Sequence, residues 1–346
     1  MLIKDIIEFS ARYEVMRGGG VYKRIYPADD PEINCVSSSA LKMSIRGAFY
    51  RDDFEGINFL TDRIRAVVTI NGVDYPCGHF VVTSEEYRKT GGLKTVAIEG
   101  YSPLYLAERK KIETRLSIPA GTKYVKQINS LLMACGIANI ISTPTSLTMA
   151  TAREDWEIGT PYLTIINDLL AEINYNSAWV DLNGAVHITP YAAPSLANVT
   201  HTYTAGQFSV IGEDYTLSND LHSKCNVFKV ICSNPDMAAP MSATAEITDP
   251  SVPFSTVNIG RVLSVTQVDN TPNQTALQNT ANMLRTKALL TTQTITFETA
   301  INPTHSSFNV LALDNDELSG LFEETEWSMV LSPSANMKHK ARRVIM

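Results

Sequence analysis

The sequence predicts a mainly β protein of the α+β type, in which an α/β insert separates two β domains. Three observations carry this. Apolar residues alternate with polar ones before about residue 110, two helical stripes follow between 111 and 200, and strand patterns resume from about 201 to the end. At 346 residues, with 44% apolar and 19% charged residues, the chain is long enough for two or three domains, each with a core of its own. The expected division is 1–110 (first β domain), 111–200 (α/β insert) and 201–346 (second β domain).

In the first domain, Leu41, Met43 and Ile45 alternate with Lys42 and Ser44, as on a strand with one buried face. Asp62 to Ile70 is rich in β-branched residues and runs into Asn71-Gly72, the pair that best supplies the two positive φ angles of a type I′ turn. The return strand, Val73 to Val82, holds Pro76-Cys77-Gly78, which predicts a bulge. A third strand, Lys94 to Gly100, follows the Gly91-Gly92 turn and completes a meander.

In the insert, Tyr124, Val125, Ile128, Leu131, Leu132 and Cys135 form one helical stripe, with Thr122 as the expected N-cap. Tyr162, Leu163, Ile166, Leu169, Leu170 and Ile173 repeat its spacing behind Thr160-Pro161. Ala178 to Leu182, Asn183-Gly184 and Ala185 to Ile188 then read as a hairpin of the same kind as the first. Beyond Val199 strands are predicted at 226–232, 261–268, 292–299, 307–313, 326–331 and 340–345. One helix, opened by Thr271-Pro272, carries Leu277, Ala281, Leu284 and Ala288 on one face. The small and polar residues of 233–255 predict an exposed loop.

Composition and motifs exclude more functions than they suggest. A net charge of −7 argues against specific nucleic-acid binding, which is built on clustered Lys and Arg. The first eight residues mix charge into apolar sequence, unlike a secretory signal, and no uncharged apolar run approaches the ~18 residues of a membrane span, so no direct membrane insertion is expected. Cys35, Cys77, Cys135, Cys225 and Cys232 lack disulfide or zinc-site spacing and read as reduced, mostly buried thiols. No Gly-x-Ser-x-Gly elbow or Cys/His pair points to a hydrolase, and His79, His187, His201, His222 and His305 show no ligand spacing. Asp314 to Gly320 departs from a calcium loop at Leu318 and at its late glycine, and reads as a turn. Glu323, Glu324 and Glu326 read as a solvated face rather than glycosidase carboxylates. Gly18-Gly19-Gly20 reads as a turn before a strand, and Lys338 to Arg343 as a charge-protected edge strand or a contact to an acidic partner. No catalytic, cofactor-binding or metal-ligating residue is therefore assigned.

The run from Asp62 to Leu106 resembles the first barrel domain of phage tail-hub proteins. The resemblance rests on Ile70-Asn71-Gly72, Gly78-His79-Phe80-Val81-Val82, Thr95 to Tyr101 and Leu104-Tyr105-Leu106. Tyr101 stands where that family often has aspartate. Leu163 to Ile173 with Trp179 to Gly184 and Ile188-Thr189-Pro190 is similar to the family's inserted α/β domain. Ala281 to Thr299 with Asn309 to Leu313 resembles hubs of prophages and contractile particles, a superfamily that includes the late control protein D group.

The resemblance implies two β-barrel-like domains per chain and a non-catalytic homotrimer that joins a sixfold tail tube to a central spike or tip. It implies as partners the tail tube or distal tail protein, the spike or tip protein, the tape-measure protein and baseplate proteins. The implied location is the host cytoplasm during assembly, then the virion tail or an extracellular tail-like particle. The alternatives are a tail-associated cell-wall hydrolase and a carbohydrate-binding tail-tip protein, the latter needing Trp156, Trp179, Trp327 or other aromatics in one groove.

Overall fold

The computed structural model describes residues 8–154, 156–204, 211–219, 224–234, 236, 240–290, 293–314 and 318–344. Strands β1 (Phe9–Arg17), β2 (Gly20–Ile25), β3 (Glu32–Val36), β4 (Met43–Tyr50), β5 (Arg63–Ile70), β6 (Val73–Thr90) and β7 (Leu93–Tyr101) come first. Helix α1 (Tyr105–Arg109) follows, and helix α2 (Tyr124–Ala134), strand β8 (Ile140–Ser142), helix α3 (Tyr162–Glu172) and strands β9 (Trp179–Val180) and β10 (Val186–Ile188) make up the insert. Then follow β11 (His201–Thr204), β12 (Ile211–Asn219), β13 (Val227–Cys232), β14 (Met241–Glu246), α4 (Thr256–Ile259), β15 (Leu263–Val268) and α5 (Gln274–Leu290). The chain ends in β16 (Gln293–Ala300), β17 (Val310–Asp314), β18 (Gly320–Val330) and β19 (Asn336–Arg343).

The protein is mainly β with an α/β insert, as the sequence predicts, but no closed barrel forms among the described residues. The two β regions share one sheet of 13 strands, whose path runs β12-β16-β19-β18-β3-β4-β7-β6-β5-β1-β2. Strand β11 joins it by pairing in parallel with β17, which pairs with β18. The pairing of β18 with β3, from Glu326 opposite Val36 to Val330 opposite Glu32, unites the end of the chain with its beginning.

The Asn71-Gly72 turn has φ of 49° and 78°, as a type I′ hairpin needs. A bulge falls at Cys77, where Gly78 faces Ala66 and Pro76 faces Val67. Gly78 has φ +123°, and a Cβ there would lie 2.7 Å from the Phe80 ring, so the bulge demands glycine. A second shift near Thr83 lets β6 continue to Thr90 beside β7, beyond the expected end at Val82. Asn183-Gly184 joins an antiparallel pair too, yet only Gly184 has positive φ. There the Asp181 carboxylate accepts from the backbone N–H of Asn183 and Ala185, an Asx-type turn.

Strand β18 explains why the last region is harder to read. Its inward residues are Phe322 and Glu324 before a register shift at Thr325, and Trp327 and Met329 after it. The extra residue moves the buried set from even to odd positions and hides the first half of the strand from a period-two pattern. Phe322 packs with Tyr203, Phe297 and Leu311, whereas Trp327 and Met329 complete the core of Tyr13, Phe49 and Phe80.

Three local expectations change. Helix α2 begins at Tyr124 with Lys123 at its cap, and Pro161 rather than Thr160 caps α3, neither with a side-chain cap bond. Residues 240–255 are no exposed loop: β14 lies within them, and Ala243, Ala245, Ile247, Val252 and Phe254 are buried. Alanines facing inward let α5 close onto the sheet, and Gln274 and Gln278 donate to the β14 carbonyls of Ser242 and Thr244. Strands β14, β13 and β15 form a separate three-stranded sheet under α5. The strand of Lys338 to Arg343 is no edge: β19 is paired on both sides, by β16 and β18.

Candidate functional site

Most residues weighed in the sequence stay apart. Cys35, Cys77 and Cys232 are buried, Cys135 and Cys225 half-buried, and all are free thiols. Burial pushes the Cys35 thiol up to about 12, which makes it inert. His187 lies 2.9 Å from the Asp181 carboxylate and stacks on Trp179, while His79 packs against Gly184. Gly18 and Gly19, both at positive φ, turn β1 into β2. His222 and residues 315–317 of the calcium-like segment lie outside the described residues.

The three tryptophans do not share a groove. Trp327 is in the core, and Trp156 lines a cleft of about 400 Å³ beside α3 and α5. There its Nε1 donates to Asp168 at 2.9 Å, and the Arg153 guanidinium covers its ring at 4.6 Å. That face is not free to stack on a sugar.

One cluster escapes the sequence reading. Glu324, expected to be solvated, is 2% exposed and meets two histidines from separate segments. His305, on the loop between β16 and β17, places Nδ1 2.8 Å from Oε2, and His339 on β19 places Nδ1 2.6 Å from Oε1. Asn309 Nδ2 donates to Oε2 at 2.7 Å. The outer nitrogens are held as well: His305 Nε2 lies 2.6 Å from the Tyr203 hydroxyl and His339 Nε2 2.8 Å from the Thr299 hydroxyl. His201 stacks on His305 with centroids 3.9 Å apart. Burial raises the Glu324 carboxyl, but the hydrogen bonds from His305 and His339 outweigh it and hold the group down at about 2. Burial, aided by His305, brings His201 down to about 4.

The three ligand-capable residues stand 19 and 15 positions apart in sequence, too far for any local motif. One signal is present: His339 alternates with the buried Met337 and Ala341, which puts it on the inward face of its strand. Chemically, two imidazoles and a carboxylate converge with their ligand atoms within 4.8 Å of one another, a set able to hold a proton or a metal ion.

No protein-family model matches the sequence, and none of the curated proteins matches it either. Solved structures do match. The chain aligns with the tail protein from Neisseria meningitidis MC58 at a TM-score of 0.67 and 14% identity, over 97% of this chain and 96% of that one. The 43 kDa tail protein of prophage MuSo2 from Shewanella oneidensis aligns at 0.65 and 12% identity, over 97% and 98%. The chain has the tail-hub fold. Outside phages, the same fold matches E. coli c3393, a type VI secretion component described as similar to T4 tail proteins gp27 and gp5. That alignment has a TM-score of 0.55 and 9% identity and covers 98% of this chain and 77% of that one. At such identities the tail-hub fold is what is shared, and the role of this chain has to be argued separately.

Proposed function

We propose that this chain is a non-catalytic structural hub of a phage or phage-like tail, assembling as a homotrimeric ring between a sixfold tube and a central spike or tip. The observation that supports this most is the alignment of nearly the whole chain with nearly the whole of two tail proteins, insert included. Its partners would be the tube or distal tail protein, the spike or tip protein, the tape-measure protein and baseplate proteins, and its final location the virion tail or an extracellular tail-like particle. Among the described residues the sheet path is open, with β2 at one end and β12 at the other, so head-to-tail contact between copies has strand edges to use. A hydrolase reading gains nothing from the His305–Glu324–His339 cluster, which is too deeply buried for a cell-wall polymer to reach.

Light scattering with negative-stain imaging of the pure chain should show three copies in a ring. A strict monomer at high concentration, alone and after mixing with a tube protein, overturns the ring. Clearing of purified cell walls by the pure protein overturns the non-catalytic role.

A further inference from the structure

We propose that His305, Glu324 and His339 form a structural binding site for a divalent transition ion of the zinc class. The donor set gives the first reason. His305 Nδ1 and His339 Nδ1 face the two oxygens of Glu324 at 2.8 and 2.6 Å, and the ligand atoms of the three side chains lie within 4.8 Å of one another. All three side chains are buried, so an ion held there would be shielded from water. With an ion on Nδ1 the His339 ring proton would sit on Nε2, where the Thr299 hydroxyl can accept it while donating its own proton to the Ala300 carbonyl at 2.8 Å.

The surroundings suit the same occupant. Ligating histidines usually have the far nitrogen held by a hydrogen-bonding partner, and Tyr203 and Thr299 hold those of His305 and His339. Two imidazoles and one carboxylate select zinc-type ions over calcium or magnesium, which take oxygen ligands. At metal–ligand distances of about 2.0–2.2 Å, tetrahedral neighbours sit about 3.3 Å apart. The carboxylate-to-imidazole gaps of 2.6 and 2.8 Å would therefore open slightly and the two rings draw together, with His305 free of any strand ladder.

The ion would clip the 301–309 loop to β18 and β19. That loop also touches the first β region, through Ser307 Oγ 3.4 Å from Cys35 Sγ, and the far half of β18, through the Ser306 carbonyl that accepts from Trp327 Nε1 at 2.9 Å. A clip there fastens the place where the two β regions meet.

The test is the full chain, carried on a tag without histidine and produced in medium supplemented with zinc or, separately, cobalt. Expected is about one equivalent of metal per chain after gel filtration, with visible cobalt bands that zinc displaces. Glu324→Gln and His339→Gln should drop the content at least tenfold, while His187→Gln keeps it. Should those variants fail to fold, Tyr203→Phe keeps all three ligands and should shift the cobalt bands. Folded wild type with less than a tenth of an equivalent under both supplements overturns the proposal, as does wild-type metal content in folded Glu324→Gln.

Discussion

The two β regions share a single sheet, yet the second sets a buried polar cluster beside its apolar core of Ile295, Phe297, Leu311 and Phe322. The first packs Tyr13, Phe49, Phe54 and Phe80 against aliphatic side chains, with Tyr13 and Phe49 edge to face at 5.1 Å. The second surrounds a buried carboxylate with imidazoles, a phenol, a hydroxyl and an amide. An apolar core draws on area and shape, and a polar one on complete pairing. Glu324 lies at the seam, one residue before the bulge that turns β18 from one core to the other.

The largest predicted effect tests the apolar side. Phe49 is fully buried, so Phe49→Ala should cost about 3–5 kcal/mol through lost transfer energy and a cavity. Urea unfolding should give that loss equally with and without zinc. A zinc-dependent loss would mean that the two cores are not energetically separate.

Next comes Lys42, which sits where both regions meet the insert. Its ammonium is buried and donates to the Ser37 and Ser39 carbonyls and to Ser177 Oγ, with no carboxylate partner among the described residues. Burial holds its pKa down at about 8, against an ordinary value of 10.5. Between those values the unfolded chain binds the proton and the folded chain does not, so stability rises with pH. The burial cost weighs fully on the fold below pH 8 and is relieved toward pH 10.5. Wild type should therefore gain on Lys42→Met by on the order of 2–3 kcal/mol between about pH 7 and about pH 10.5. Paired urea melts across that range measure it, and a constant difference would show that the ammonium is solvated.

On the polar side a single oxygen should matter. Tyr203→Phe keeps the ring against Phe297 but strips His305 Nε2 of its partner, and should cost about 1–3 kcal/mol. A neutral result would place the strength of that core in its packing rather than its pairing, and erase the contrast with Phe49.

The same contrast decides what can be read from the sequence. The insert helices are visible because Leu, Ile and Tyr recur at helical spacing and all turn into one core. The hairpin at Asn71-Gly72 is visible because its turn chemistry is local. Glu324 is not, since an acidic residue in an acidic run reads as surface, and the bulge beside it breaks the alternation that would have marked it as inward. Strand β14 is hidden for another reason. Alanine reads as too small to anchor a core until the helix it faces, α5, is known to press against it.

The smallest predicted effect sets the floor for these comparisons. Gly72 has φ +78°, and a Cβ added there would meet nothing within 4 Å, so Gly72→Ala faces only backbone strain and should cost about 1 kcal/mol. Gly78 in the same hairpin adds the 2.7 Å approach to the Phe80 ring, deep in the apolar core. Gly78→Ala should therefore cost clearly more than Gly72→Ala in urea melts with matched slopes. Equal costs would mean that this core yields to a methyl group, and the rigidity assigned to the apolar half would fail with it.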